Sequence, residues 1–466
     1  MLELRLCEVG EESFFIMKNI RKIFTAIFLS FLLLMSTFSF PNITKANFDT
    51  NAYNSILLDA ETGKILFQKN IDILLPVASM SKMMSEYLVL EAVSTGRINW
   101  DQNVPISKEL ANLSHNRELS NVPLRIDETY TVKELYESVA IYSANAATMA
   151  LGELISGSYR QFIDLMNDTA SEIGLGQEGQ DFKFVNSTGL PNRFLEREGL
   201  LPEGLPNDAE NLMTARATGT LAYQLLNKFP EVLETASIPR KIFKEGTPDQ
   251  IQMDNWNFML PELVFGYEFT DGLKTGFTRA AGYCFTGTAM KDGQRVITVV
   301  MKTDSMKERF DETRRLMEYG FNNFGMQQLI PAGFQLEGFE TLPVAKGKER
   351  EVAISANDSL SVMMKNREEE LYSLELILDE NFLDEEGKLI APIEKGQKVG
   401  YMKVNYHGDV NHEFIVSEAA LSEQVDIVVN ETVEKAGWFS LTMRAIGGFF
   451  SGIWTSVADS VKGIFS

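Results

Sequence analysis

Residues 53–70, YNSILLDAETGKILFQKN, alternate apolar and polar side chains on either side of Glu61-Thr62-Gly63-Lys64, a pattern that predicts a two-stranded hairpin. From Pro76 to about Phe229 the apolar spacing changes to three and four, as in YTVKELYESVAIYSANAATMALGELI over 130–155, and predicts helices. Strands return at 267–278, 282–290 and 295–302, the last two joined by the tight-turn pair Asp292-Gly293, and a helix over 309–324 follows. Strands at both ends with helices between them predict one antiparallel sheet, completed by distant segments and covered by helices, an α/β (α+β) domain over 47–328. Past Pro331 the runs are short and alternating, at 351–365, 371–380, 389–406, 411–418 and 425–433, which predicts a separate all-β domain over 331–433.

The two ends differ from the rest. Lys18, Arg21 and Lys22 precede an apolar run from Phe24 to Phe40, and Thr44-Lys45-Ala46 supplies a small residue before Asn47. This layout predicts a secretory signal peptide cleaved after Ala46, with Met17 heading it better than Met1, and therefore an exported chain. An uncleaved anchor is the alternative, but Ser30, Ser36 and Thr37 interrupt a run shorter than the roughly 20 apolar residues a span requires. At the other end, 438–466 places Trp438, Ile446, Phe449, Ile453, Val457, Val461 and Ile464 along one helical stripe, with Arg444, Ser451, Thr455, Asp459 and Lys462 opposite. Large aromatics beside a weakly charged face predict an amphipathic helix lying on a membrane surface; packing on this chain or a sister chain is the alternative.

Composition narrows the chemistry. The 466 residues are 44% hydrophobic, enough for more than one cored domain. A net charge of −22 offers no basic stripe for nucleic acid. With Cys7 in the leader, Cys284 alone remains in the mature chain, in an apolar run that predicts a core residue. The three histidines, His115, His407 and His412, stand far from it in sequence, so neither a thiol–imidazole pair nor a zinc-type ligand cluster is indicated.

The candidate chemistry lies in PVASMSKMMSEYL, 76–88. Pro76 marks a helix start, which puts Ser79 in a first turn whose free backbone N–H groups suit an oxyanion. Lys82 falls on the same face one turn later. A serine nucleophile needs a base, and lysine serves only when neutral, a condition promoted by burial among Met80, Met83 and Met84 or by a second cation. Lys274, in DGLKTGFT (271–278), is the candidate second cation. With Thr275 it suits a substrate carboxylate, and Gly276 lets a substrate backbone approach the strand. Ser143 and Asn145, on the helical stretch, add a hydroxyl able to relay a proton and an amide able to orient lysine and substrate.

The set S-x-x-K, S-x-N and K-T-G in this order resembles that of the penicillin-recognising serine enzymes. Together with LLDAETGKILFQKN, YTVKELYESVAIYSANAA, FVNSTGLPN, TDGLKTGFTRAAGYCFTGTA, the β domain and the amphipathic tail, the chain resembles the D-alanyl-D-alanine carboxypeptidases among the low-molecular-mass penicillin-binding proteins. The resemblance implies that Ser79 forms an acyl-enzyme, Lys82 accepts its proton and Ser143 passes a proton to the departing D-alanine. It implies that Asn145 holds the substrate amide, that Lys274 and Thr275, aided by Arg309, bind the terminal carboxylate, and that the N–H groups of Ser79 and Phe277 hold the oxyanion. Peptidoglycan pentapeptides would be the substrate and β-lactams covalent inhibitors, with no cofactor or metal. Position 277 is often polar in the family and Ala217 stands where many members carry Asp. Two alternatives are a class A-like β-lactamase, for which no E-x-x-L-N pattern occurs between Ser143 and Lys274, and a non-catalytic penicillin sensor or scaffold.

Overall fold

The computed structural model describes residues 48–177, 179–408, 412–417, 421 and 423–443. The expected signal segment and the amphipathic tail beyond Met443 lie outside the described residues. Five strands, β1 Asn54–Asp59, β2 Ile65–Lys69, β3 Thr270–Thr278, β4 Gly282–Lys291 and β5 Gln294–Thr303, form an antiparallel sheet in the order β3-β4-β5-β1-β2. The longer helices are α1 Lys82–Ser94, α2 Val132–Tyr142, α3 Asn145–Ser156, α4 Tyr159–Glu172, α5 Ala215–Lys228 and α6 Met306–Asn323. The sheet thus joins the chain's first strands to strands 200 residues later, as the alternation of patterns predicts.

Every residue of β1 is buried, its polar positions included. Helices cover both sides: Gly219 of α5 packs on Ile56 and Leu58, and Gly320 of α6 packs on Leu57. Alternate side chains of a strand point to opposite faces, so β1 feeds two cores at once. Helix α1 is likewise enclosed all round from Lys82 to Leu90, with Met83, Met84, Leu88, Val89 and Leu90 buried on its several faces. An enclosed helix carries any polar side chain on it out of water.

The helical stretch 130–155 divides in two. Thr131 and Glu134 close a capping box at the start of α2, an arrangement that contributes on the order of 1 kcal/mol. Ser143 then adopts φ 60° and turns the chain out of α2, so it stands between two helices and not on one as expected. The first N–H groups of α3 are taken by the Ser120 carbonyl (3.0 Å) and Asn121 Oδ1 (2.9 Å). Helix α6 begins three residues ahead of the expected 309, where Ser305 Oγ accepts from Glu308 N.

The β domain contains β6 Phe324–Ile330, β7 Thr341–Ala345, β8 Glu351–Ala356, β9 Leu360–Lys365, β10 Tyr372–Leu378, β11 Leu389–Ile390, β12 Lys398–Tyr406 and β13 Gln424–Val429. Six of these order as β10-β12-β13-β8-β7-β11, while β6 pairs with β9. The domain therefore opens at Phe324, ahead of the expected 331, and the run 389–406 is two strands.

A larger correction concerns 411–418, expected as a further strand of this domain. Among its described residues, Phe414 bridges Lys64 in the β1–β2 turn, Ile65 N donates to Glu413 O and Ile415 N to Gly63 O. Ile415 is buried in the core of the first domain. Beside it, Lys64 Nζ donates to Met363 O (2.7 Å) and pairs with Glu423 (3.2 Å), which also meets His412. The segment is a clasp between the domains. Residues 438–443 are helical with Trp438, Phe439 and Met443 exposed, and among the described residues no helix is long and apolar enough to cross a membrane.

Candidate active site

Pro76 is followed by a single 3₁₀ turn, Ala78–Ser81, that runs into α1. Ala78 has φ 49°, a left-handed conformation uncommon for a residue with a Cβ, and Ser81 Oγ bonds back to its carbonyl (2.7 Å). Ser79 is half-buried in this turn, and Lys82, fully buried, sits one turn on.

Lys82 Nζ has three neighbours at hydrogen-bond distance: Ser79 Oγ (2.9 Å), Asn145 Oδ1 (2.8 Å) and Thr188 O (2.7 Å). The Asn145 amide is oriented by its own Nδ2, which donates to Ser120 O (2.8 Å). Of the three neighbours only the serine hydroxyl has a hydrogen to give. A neutral amine here therefore donates to Asn145 Oδ1 and Thr188 O and turns its lone pair to the Ser79 hydroxyl. Burial, chiefly, and then the charge of Lys274 hold Lys82 well below the usual lysine range, while Glu86 opposes them. Met80, Met83 and Met84 are each completely buried, as expected.

Thr188 was not among the residues singled out from the sequence. Its carbonyl is presented by a loop built on Asn186, whose Oδ1 accepts from Thr188 N (2.9 Å), Thr188 Oγ1 (2.9 Å) and Gly189 N (2.7 Å). Asn186 Nδ2 donates to Leu190 O and Asn192 Oδ1. Asn211 ties this loop to the nucleophile turn, for its side chain bonds Val185 N and Asn186 while its carbonyl accepts from Val77 N. Gly189 has φ 76°, and a Cβ there would stand 1.8 Å from the Ala78 carbonyl oxygen.

Strand β3 lies at the sheet edge, beside the same turn. A Cβ on Gly276 would meet the Val77 carbonyl oxygen at 2.6 Å and Met80 at 3.3 Å. The glycine thus admits the chain's own backbone, where the sequence suggested room for a substrate's. Lys274 and Thr275 are buried, and Phe277 is 54% exposed with its ring 4.4 Å from that of Tyr283. Burial brings Lys274 down to about 8, with Glu86 raising it and Arg309 lowering it.

Two expected residues stand apart from the Lys82 network. Ser143 Oγ is buried and has no hydrogen-bond partner among the described residues. Arg309 Nη1 reaches the carbonyls of Gly276 and Cys284, both at 3.4 Å, and its guanidinium lies over the ring of Phe310. Burial lowers it to about 10. Cys284 is fully buried, its thiol pushed up to about 11 by burial, which removes it as a nucleophile.

A serine hydroxyl facing a buried amine, with an edge strand carrying a second lysine beside it, is an acyl-transfer geometry. Residues 41–305 match the D-alanyl-D-alanine carboxypeptidase family, and residues 324–435 match the penicillin-binding protein 5 C-terminal domain. The chain belongs to the D-alanyl-D-alanine carboxypeptidase family. It is a serine peptidase of that family, whose members act on peptidoglycan and bind β-lactams. The carboxypeptidase DacF of Bacillus subtilis is 29% identical over 400 residues, covering 85% of this chain and 89% of the relative. DacC of Escherichia coli is 28% identical over 404 residues, 86% of each chain. A solved structure of a peptidoglycan synthesis regulatory factor, PBP3, from Streptococcus pneumoniae superposes with TM-score 0.67 at 30% identity, covering 83% of this chain and all of that one. Penicillin-binding protein 5 of Haemophilus influenzae gives 0.62 at 25% identity, covering 83% and 98%. These matches favour a carboxypeptidase over a β-lactamase or a sensor.

Proposed function

We propose that this carboxypeptidase removes the terminal D-alanine of peptidoglycan stem peptides with Ser79 as nucleophile and Lys82 as base. The observation that carries the reading is the three-way setting of Lys82 Nζ, which leaves its lone pair only to the Ser79 hydroxyl. The amine takes the hydroxyl proton while Oγ attacks the carbonyl carbon of the penultimate D-alanine. The Ser79 and Phe277 N–H groups stabilise the oxyanion. As the C–N bond breaks, the leaving D-alanine gains a proton through the Ser143 hydroxyl, and Ser79 is left as an ester. Water, deprotonated by Lys82, attacks that ester and frees the shortened peptide. Lys274 and Thr275 hold the terminal carboxylate. Arg309 acts on it through the Gly276 carbonyl and so through the strand's position, and Asn145, with one N–H still to give, serves the substrate amide as well as Lys82.

The signal-like segment 1–46 and the amphipathic segment 438–466 support placement outside the cytoplasmic membrane, with the tail resting on its outer face. The exposed Trp438, Phe439 and Met443 at the start of that tail agree with this. Protein lacking 1–46 and 438–466 is incubated with a peptide ending in D-Ala-D-Ala: release of D-alanine, abolished in Ser79→Ala, and labelled penicillin recovered on the Ser79 peptide are the expected results. Label on another side chain would overturn the assignment.

A further inference from the structure

Glu86 follows Lys82 by one helical turn, and residues four apart share a helix face. In most helices such a pair lies in water. Here α1 is enclosed, Glu86 is 3% exposed, and its Oε1 has no hydrogen-bond partner among the described residues; the same holds for the buried Tyr136 hydroxyl. An unpaired carboxylate oxygen in such a place is costly unless charge compensates it. Burial raises the Glu86 carboxyl, and the charge that offsets this most is that of Lys274, ahead of any contribution from Lys82. In return Glu86 is the leading attraction on Lys274, opposed by Arg309 of α6, whereas on Lys82 the repulsion from Lys274 outweighs the attraction of Glu86.

One further carboxylate bears on this point: Glu231, just ahead of the short helix Val232–Ala236, acts with Glu86 on the buried Tyr136 hydroxyl. From α2 comes Tyr136, and Glu137 is tied to Lys241. From α3 comes the neutral Asn145. Tyr159 of α4 accepts from Ser187, and Lys228 of α5 is bound to Tyr87 and Glu91 farther along the helix. The 3₁₀ turn carries only hydroxyl, methionine and alanine side chains.

We propose that Glu86 is a positioning residue for the acylation step: a buried negative charge that keeps the proton on Lys274, the cation awaiting a carboxylate, while Lys82 remains the amine. The inference rests on the assignment of Lys82 as base and Lys274 as carboxylate binder. It follows that removing the charge without changing the shape frees Lys274 to lose its proton at lower pH. Below neutrality the effect vanishes, because the buried carboxyl, pushed up to about 7, is then itself protonated.

The test is the pH profile of D-alanine release by the intact chain, its Glu86→Gln variant and its Glu86→Asp variant. For Glu86→Gln the alkaline limb of kcat/KM should move down by about one pH unit, making it about tenfold slower than wild type at pH 9. KM should carry the loss, kcat should stay within about twofold, and the two profiles should converge below pH 7. Glu86→Asp, which keeps the charge, should restore the alkaline limb. A Glu86→Gln profile of wild-type shape, lowered by one factor at every pH or accompanied only by a lower Tm, would make Glu86 a packing residue and overturn the proposal. Should Glu86→Gln fail to fold, NMR of the wild-type chain carrying labelled lysine decides: the Lys274 signal must shift as Glu86 ionises near pH 7, and a Lys274 curve without that step overturns the proposal. Absence of turnover by wild type would instead sink the underlying assignment.

Discussion

The Gly189 α-carbon faces the carbonyl oxygen of Ala78 so closely that a methyl group on it would stand 1.8 Å from that oxygen. Two loops far apart in sequence thus meet without a side chain between them, one bearing the nucleophile and the other the carbonyl that steadies the base. At φ 76° the position also resists any residue with a Cβ. Gly189→Ala should therefore separate the loops and lower the rate of acylation by penicillin at least a hundredfold, with a fall in Tm. Acylation within threefold of wild type would show that Thr188 is not needed at its present distance from Lys82.

D-alanine release should depend on pH in a defined sense. Lys82, held well below its ordinary range by burial and then by the charge of Lys274, works as the neutral amine, so its protonation should remove activity on the acid side. Lys274 works as a cation, and near pH 8 it begins to lose its proton, so kcat/KM should fall as pH rises through that region. The fall should appear in KM and not in kcat. A rate that keeps climbing to pH 10 would mean that Lys82 is an ordinary lysine.

Lys64 and Glu423 join the two domains through a buried ion pair, with both side chains under 10% exposed. Removing one partner leaves a buried charge uncompensated, which typically costs about 3–5 kcal/mol. Lys64→Met should destabilise the protein by about that much in urea titration, and Lys64→Met with Glu423→Leu should recover part of it. D-alanine release at 25 °C should be unchanged, since no active-site residue touches the pair. A loss under about 0.5 kcal/mol would show that the clasp does not couple the domains.

Phe277 lies at the exposed end of the K-T-G strand and rests on Tyr283. Phe277→Ser removes the ring but keeps the backbone N–H assigned to the oxyanion. It should change KM for stem peptides severalfold and leave kcat and the penicillin acylation rate within about threefold, because transition-state donors matter far more to kcat than side-chain contacts do. A hundredfold fall in kcat would place the side chain in the chemistry itself.

The pair Ser79 and Lys82 was legible because helix geometry converts a spacing of three into a shared face, and the hairpins because tight turns have a small alphabet. The role of Thr188 was not, since a carbonyl is common to every residue and only the Asn186 loop aims this one. Ser143 looks helical in the sequence because the apolar spacing runs unbroken through the point where the backbone turns left-handed. Glu86 resembles an ordinary surface partner of Lys82 until the enclosure of α1 is seen. Segment 412–417 shows why alternation alone misleads: a strand-like run looks the same whether it joins its own sheet or lies against another domain.

That clasp also bears on how the enzyme is aimed. Two domains on a loose linker would turn independently, whereas these, gripped by Ile415 and the Lys64 pair, turn as one body. Whatever holds the β domain in place therefore also fixes the direction in which Ser79 and Lys82 face.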